Sequence, residues 1–288
     1  MISHSEGTFK GIGELDLYYQ SWYPEGKLRA ILVIVHGLGA HSSRFGNIIE
    51  QLIPQQYAVY SFDMRGNGRS PGQQGHINSW AEFREDLRAF IKLIQTQQPG
   101  CPLFIMGQSL GAVVVLDYIL HYPKEASTMQ GAIALAPALG VGVSKFRLLL
   151  GKLLSRTWPQ FTLSTGLDLT SASRDEKILA AYAQDPLRHT LGTARLATEY
   201  LATVNWIYTH ADEWQLPLLI LHGTDDRVAL PEGSEIFYQL VPGQDKRRIV
   251  YPGAYHELHN DLNYKEVIAD LEDWLEQHGG LWGEEAKG

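Results

Sequence analysis

Apolar positions in this chain gather into short, nearly unbroken runs rather than alternating with polar ones. Ala30–Val35, Tyr57–Phe62, Leu103–Met106, Gly131–Ala136, Leu218–Leu221 and Arg248–Tyr251 are the main runs. A strand with one face in water alternates, whereas a strand covered on both faces does not. These runs therefore predict a parallel sheet with helices on both sides. The segments between them, Ser79–Gln97, Leu110–Tyr122, Pro231–Leu240 and Lys265–His278, carry helical patterning. Thr8–Gly13 and Tyr18–Tyr23 read as an N-terminal hairpin. The predicted fold class is α/β: a mostly parallel, doubly wound sheet with a helical insertion.

That insertion follows Pro137, where the pattern turns helical and stays so to about Ala211 with no good strand. Ligands of open α/β sheets bind outside the carboxyl ends of the strands, so an insert there reads as a cap or lid. The expected organisation is a core of residues 1–137 and 212–288 and a cap of residues 138–211. Within the cap, Phe146, Leu149, Leu150, Leu153 and Leu154 share one helix face, with Lys145, Arg147, Lys152 and Arg156 interleaved. Ala126–Leu167 contains no Asp or Glu. Such a face either docks on a membrane surface or packs on the domain and lines an acyl tunnel, and both readings stand.

Gly107-Gln108-Ser109-Leu110-Gly111 lies between an apolar run and a helical one. A strand turning sharply into a helix with Ser at the apex is a nucleophile elbow, whose glycines allow close backbone approach. A Ser nucleophile needs a base, a carboxylate to orient that base, and donors aimed at the developing oxyanion. Among eleven histidines, His256 follows the last predicted strand, and Asp226 follows the strand before it. Ser, then acid, then His is the chain order of α/β-hydrolase triads. His259 competes for the base role, and Asp225 for the acid. The loop His36-Gly37-Leu38-Gly39 follows the first central strand, so the N–H groups of Leu38 and Leu110 are the expected oxyanion donors. His36 is read as orienting that loop, and Asp63–Ser70 as a structural loop. Tyr255–His259 lacks the H-E-x-x-H spacing, so no metal is expected.

Composition narrows the picture further. The chain has 288 residues, of which 44% are hydrophobic and 19% charged, as in a soluble globular domain. A net charge of −8 argues against nucleic acid as a partner. The single cysteine, Cys101, excludes an internal disulfide and reads as structural. No signal peptide and no membrane-spanning run is evident, so a cytoplasmic location is expected, with peripheral membrane contact through the cap as an option.

Together, His36-Gly-Leu-Gly-Ala-His41-Ser-Ser-Arg44, Asp63-x-Arg-Gly-x-Gly-x-Ser70, Gly-Gln-Ser109-Leu-Gly, Asp185-Pro-Leu, His222-Gly-Thr-Asp-Asp226 and Ala254-Tyr-His256 resemble the α/β-hydrolase group of monoacylglycerol lipases and lysophospholipases. The resemblance spans nearly the whole chain. It implies an esterase acting on single-chain lipid esters without a cofactor, with Ser109, Asp226 and His256 as triad and Leu38 and Leu110 as oxyanion donors. It departs at Ala40 and Gln108, where eukaryotic-type monoacylglycerol lipases often carry Glu and His near the glycerol end, so the head group stays open. Arg44 and Tyr182 match positions lining that end, and with Gln108, Leu149 and Leu153 they are the expected substrate contacts. A carboxylesterase, thioesterase or aminopeptidase of the same fold is the alternative, with Asp168, Asp175 and Glu176 as acids for a substrate ammonium. A non-catalytic lipid-binding module is a further alternative.

Overall fold

The computed structural model describes residues 2–140, 153–166 and 168–279. Its centre is an eight-stranded sheet. The strands are β1 (Ser3–Lys10), β2 (Asp16–Tyr23), β3 (Ala30–Val35), β4 (Tyr57–Phe62), β5 (Leu103–Gln108), β6 (Gly131–Leu135), β9 (Leu218–Gly223) and β10 (Lys246–Tyr251). They lie in the order β1-β2-β4-β3-β5-β6-β9-β10. β1 pairs antiparallel with β2, and β2 with β4; every later pairing is parallel.

β3 explains why the runs are unbroken. Ile31, Val33 and Val35 pack into one core cluster, while Ala30, Leu32 and Ile34 pack into the other. Successive side chains of a strand point to opposite faces, so a strand between two helix layers must be apolar at every position. The first layer holds α2 (Ala81–Gln97) and α3 (Leu110–His121). The second holds α1 (Gly46–Leu52) and the C-terminal helix α9 (Tyr264–His278), whose Trp274 is buried against Phe104.

A short helix α4 (Pro123–Ala126) precedes β6. Between β6 and β9 the chain leaves the sheet. It forms a helical segment α5, described over 153–157, then α6 (Glu176–Gln184) and α7 (Ala194–Thr209). α8 (Pro231–Leu240) lies between β9 and β10. Contrary to expectation, the stretch between β6 and β9 also contains strands. β7 (Thr162–Ser164) and β8 (Leu191–Thr193) form an antiparallel pair. Three residues are too few to register as a periodic pattern, so the pair is set by tertiary contact rather than by local sequence.

The parallel register brings all the relevant loops to one edge. Val35 lies opposite Gly107, Gln108 opposite Leu135, Leu135 opposite Leu221, and Tyr251 opposite Gly223. The chain order reverses between β3 and β5, and the loops leaving those two strands open a crevice at this switch point.

Candidate active site

Ser109 occupies the turn between β5 and α3 with φ 55° and ψ −119°. A non-glycine residue held there stores on the order of 1–3 kcal/mol of strain. The surroundings enforce it. The Ser109 N–H donates to Leu135 O at 3.0 Å, and Ser109 O accepts from Ala112 N–H at 3.1 Å and Ala138 N–H at 3.2 Å. A Cβ on Gly107 would lie 2.4 Å from the Ala112 Cα, and one on Gly111 2.2 Å from the Val35 carbonyl oxygen. Both glycines are thus demanded by backbone running against backbone.

The loop after β3 is clamped from beneath by His36, which is fully buried. Its Nε2 accepts from Met64 N–H at 2.9 Å, so Nδ1–H donates to Gly37 O at 2.7 Å. Burial pulls this imidazole down to about 4, so it stays neutral and keeps both bonds at physiological pH. The loop carries Leu38 to the wall of a cavity that Gln108, Ser109 and His256 also line. Leu110 opens α3, so its N–H has no acceptor inside the helix and is free for another partner.

Asp226 and His256 meet between the loops after β9 and β10. His256 Nδ1–H donates to Asp226 Oδ2 at 2.7 Å. The other carboxylate oxygen accepts from Val228 N–H at 2.8 Å and Ala229 N–H at 2.9 Å. His222, on β9, adds Nε2 at 3.2 Å from Oδ2. Burial raises the Asp226 carboxyl, but the charge of His256 and these hydrogen bonds outweigh it and hold the group well below the ordinary carboxylate range. For His256, burial acts downward and is overcome by Asp226, so its pKa lies above the ordinary histidine value. The rivals are placed elsewhere. Asp225 is exposed, and His259 stacks on Phe45 with neither ring nitrogen hydrogen-bonded.

A second buried carboxylate follows His256 directly. Glu257 lines the same cavity. It accepts from Arg188 at 3.3 Å and makes a short hydrogen bond with the Tyr182 hydroxyl. The Tyr182 ring is sandwiched between guanidinium groups, Arg44 3.7 Å and Arg188 4.0 Å from its centroid. Burial pushes the Glu257 carboxyl up, but nearby positive charge and the Tyr182 bond prevail and keep it low.

The expected substrate contacts are therefore divided. Gln108 reaches the cavity, and its Nε2 lies 3.3 Å from His256 Nε2. Arg44 and Tyr182 form the layer behind Glu257 rather than the wall itself. Leu149 lies outside the described residues. Leu153 is 59% exposed instead of lining the cavity. The inner side of its helical segment is set by buried Ser155, whose hydroxyl accepts from Thr198 Oγ1 at 2.9 Å, and Leu153 sits on another face. Arg188, Glu257 and His222 were not singled out from sequence. A signal existed for two of them: Arg188 follows Asp185-Pro-Leu and Glu257 follows His256. No group of three or more His, Cys, Asp or Glu able to hold a metal occurs among the described residues.

The chain is similar to known proteins over most of its length. The family described as serine aminopeptidase, S33, matches residues 26–263. The chain is 31% identical over 279 residues to the monoacylglycerol lipase of Mycolicibacterium smegmatis, covering 96% of this chain and 98% of that one. It is 26% identical to the human monoglyceride lipase, covering 93% and 89%. Among solved structures, the monoacylglycerol lipase of Paleococcus ferrophilus superposes with a TM-score of 0.81 at 31% identity, covering 96% and 99%. A soluble variant of the monoglyceride lipase of Saccharomyces cerevisiae, in complex with a substrate analogue, superposes at 0.84 with 25% identity, covering 95% and 94%. With a strand–Ser–helix elbow at the carboxyl edge of a mostly parallel sheet and a family match over most of its length, the chain belongs to the serine aminopeptidase S33 family of α/β hydrolases.

Proposed function

We propose that this protein is a serine esterase that cleaves single-chain lipid esters, monoacylglycerols or lysophospholipids, through an acyl-enzyme. The observation that carries this reading is the 2.7 Å Asp226–His256 bond beside a cavity that also holds the strained Ser109. Ser109 Oγ attacks the ester carbonyl while its proton passes to His256 Nε2. Asp226 holds Nδ1–H and stabilises the imidazolium. The N–H groups of Leu38 and Leu110 receive the oxyanion. His256 then returns the proton to the departing alcohol, and water, activated by the same nitrogen, releases the fatty acid. The names of the relatives favour a glyceride ester over other acyl substrates.

Residues 138–211 act in this reading as the cap. Leu153, Trp158, Phe161 and Leu163 are exposed, and the Trp158 and Phe161 rings lie 4.7 Å apart. With Arg156 among them and no acid before Asp168, this face suits peripheral docking on a bilayer. No helix among the described residues is long and apolar enough to cross a membrane. Flotation with anionic liposomes tests the docking; binding unchanged by Leu153→Ser with Trp158→Ser sinks it.

One observation favours a second reading, an aminopeptidase: Asp168 brings a carboxylate to the cavity wall, and the family is described by that activity. Against it, the Glu257 charge is already matched by Arg188. Assaying 1-monoacylglycerol, a lysophospholipid and an aminoacyl p-nitroanilide side by side decides. Lipid ester turnover that disappears in Ser109→Ala is expected. Turnover of the anilide alone overturns the esterase reading.

A further inference from the structure

His256 Nδ1–H is committed to Asp226, so Nε2 carries the lone pair that must take the Ser109 proton. Among the described hydrogen bonds, none joins that nitrogen to Ser109; its partner is the side-chain amide of Gln108, 3.3 Å away. An amide N–H facing a lone pair is a favourable contact, and the same N–H facing a protonated nitrogen is an unfavourable one. Gln108 is buried, with 4% of its surface exposed, and its amide is seated rather than free. Its Oε1 rests against the loop after β3, where a Cβ on Gly37 would come within 2.6 Å of it and within 3.0 Å of the Ser109 Cβ. The side-chain-free Gly37 thus leaves room for Gln108 and Ser109 side by side at the cavity that His256 also lines.

We propose that the Gln108 amide is a latch on the base nitrogen. In the resting enzyme it occupies the His256 Nε2 lone pair and leaves Ser109 unactivated. Engagement of an acyl group displaces it, and only then does Ser109 Oγ–H donate to Nε2. Gln108 is a positioning residue, acting through His256. The proposal rests on the reading of His256 as the base.

The groups facing this imidazole are few. Asp226 holds the opposite nitrogen. Glu257 and Arg188 lie beside it as an ion pair, and His259 is buried in the same layer with burial pulling it down to about 4. Asp168 and His189 also line the cavity. Asp226 and Glu257 hold their charge near neutral pH and His259 is neutral there; burial lowers the His256 imidazole, Asp226 raises it, and the described hydrogen bond at Nε2 is the one from Gln108.

The test compares the pH dependence of Ser109 labelling by a fluorophosphonate in wild type, Gln108→Met, Gln108→Glu and His256→Asn. Methionine keeps the length of glutamine without its donor. Its alkaline plateau is expected to rise about fivefold, the worth of one neutral hydrogen bond. Its acid limb is expected to move to higher pH, because the bond that favoured the neutral imidazole is gone. Glutamate accepts from Nε2–H and stabilises the imidazolium, so its acid limb is expected to move further in the same direction, with labelling restored only in alkali. A Gln108→Met plateau equal to or below wild type overturns the latch, as does a Gln108→Glu limb that does not move. Rapid labelling of His256→Asn shows instead that the base has been misassigned. Should Gln108→Met fail to fold, Gln108→Leu, which also lacks the donor, takes its place with the same expected and overturning outcomes.

Discussion

Two buried carboxylates flank His256, and they are held in opposite ways. Asp226 is fixed by hydrogen bonds: two backbone N–H groups hold one oxygen, and two imidazoles share the other. Glu257 is bound by a permanent cation, Arg188, and by Tyr182, which is itself packed between two guanidiniums. Both have depressed pKa values. Asp226 faces the imidazole that the proposed mechanism protonates and deprotonates, so in that reading it takes part in the chemistry. Glu257 is kept low by His259 and Arg188 together, and its bonds to Arg188 and Tyr182 tie it into the cavity wall. A carboxylate's burial and low pKa therefore do not mark its role; the atoms it hydrogen-bonds do.

The largest expected effect breaks this comparison most directly. Asp226→Asn leaves the shape of the site and removes the carboxylate. Turnover is expected to fall about 10³–10⁴-fold, as when a triad aspartate is neutralised, with folding retained. Steady-state kinetics beside a thermal melt check it. A fall of tenfold or less places the orienting charge elsewhere.

Glu257→Gln is expected to do the reverse, costing stability more than turnover. It strands Arg188, whose side chain is only 9% exposed, at about 3 kcal/mol. Urea denaturation measures this, and Glu257→Gln combined with Arg188→Met should recover most of the loss. A double variant as unstable as the single one contradicts the idea that Glu257 answers Arg188.

The pH dependence sharpens the contrast on the Asp226 side. His256 must be neutral to act as a base, and its pKa is raised, so the acid limb of kcat/KM should lie above the ordinary histidine value of about 6.5. Replacing Asp226 by Asn should lower that limb. For stability the signs differ for the two partners. The depressed Asp226 pKa contributes above the ordinary carboxylate range and is lost on acidification. The raised His256 pKa contributes at low pH and is lost as pH climbs through its raised value. The wild-type advantage in melting temperature over Asp226→Asn should therefore be greatest between about pH 4 and pH 6.5. A flat difference across that window breaks the pairing.

Legibility in the sequence followed the range of the interaction. β3 and β4 have the limits expected from their apolar runs, because double-sided burial demands an unbroken pattern. β5 runs two residues past the expected end, to Gln108, since the polar elbow residue still pairs with Leu135. β1 starts at Ser3, five residues before the expected Thr8, on a largely exposed edge strand where burial imposes no pattern. The order of the Ser109, Asp226 and His256 loops was readable because each loop directly follows its strand.

The sequence by itself determined a mostly parallel sheet and a carboxyl edge carrying Ser109, Leu38, Asp226 and His256, for those follow from local pattern and chain order. Only the tertiary structure decided that His222 joins Asp226 and His256, and that Leu153 faces outward. It also decided that Arg188 pairs with Glu257 and that the Gln108 amide faces the base nitrogen. Most of those contacts join residues dozens of positions apart. The direction of a side chain there is set by whatever packs against it, and no period in the chain encodes that.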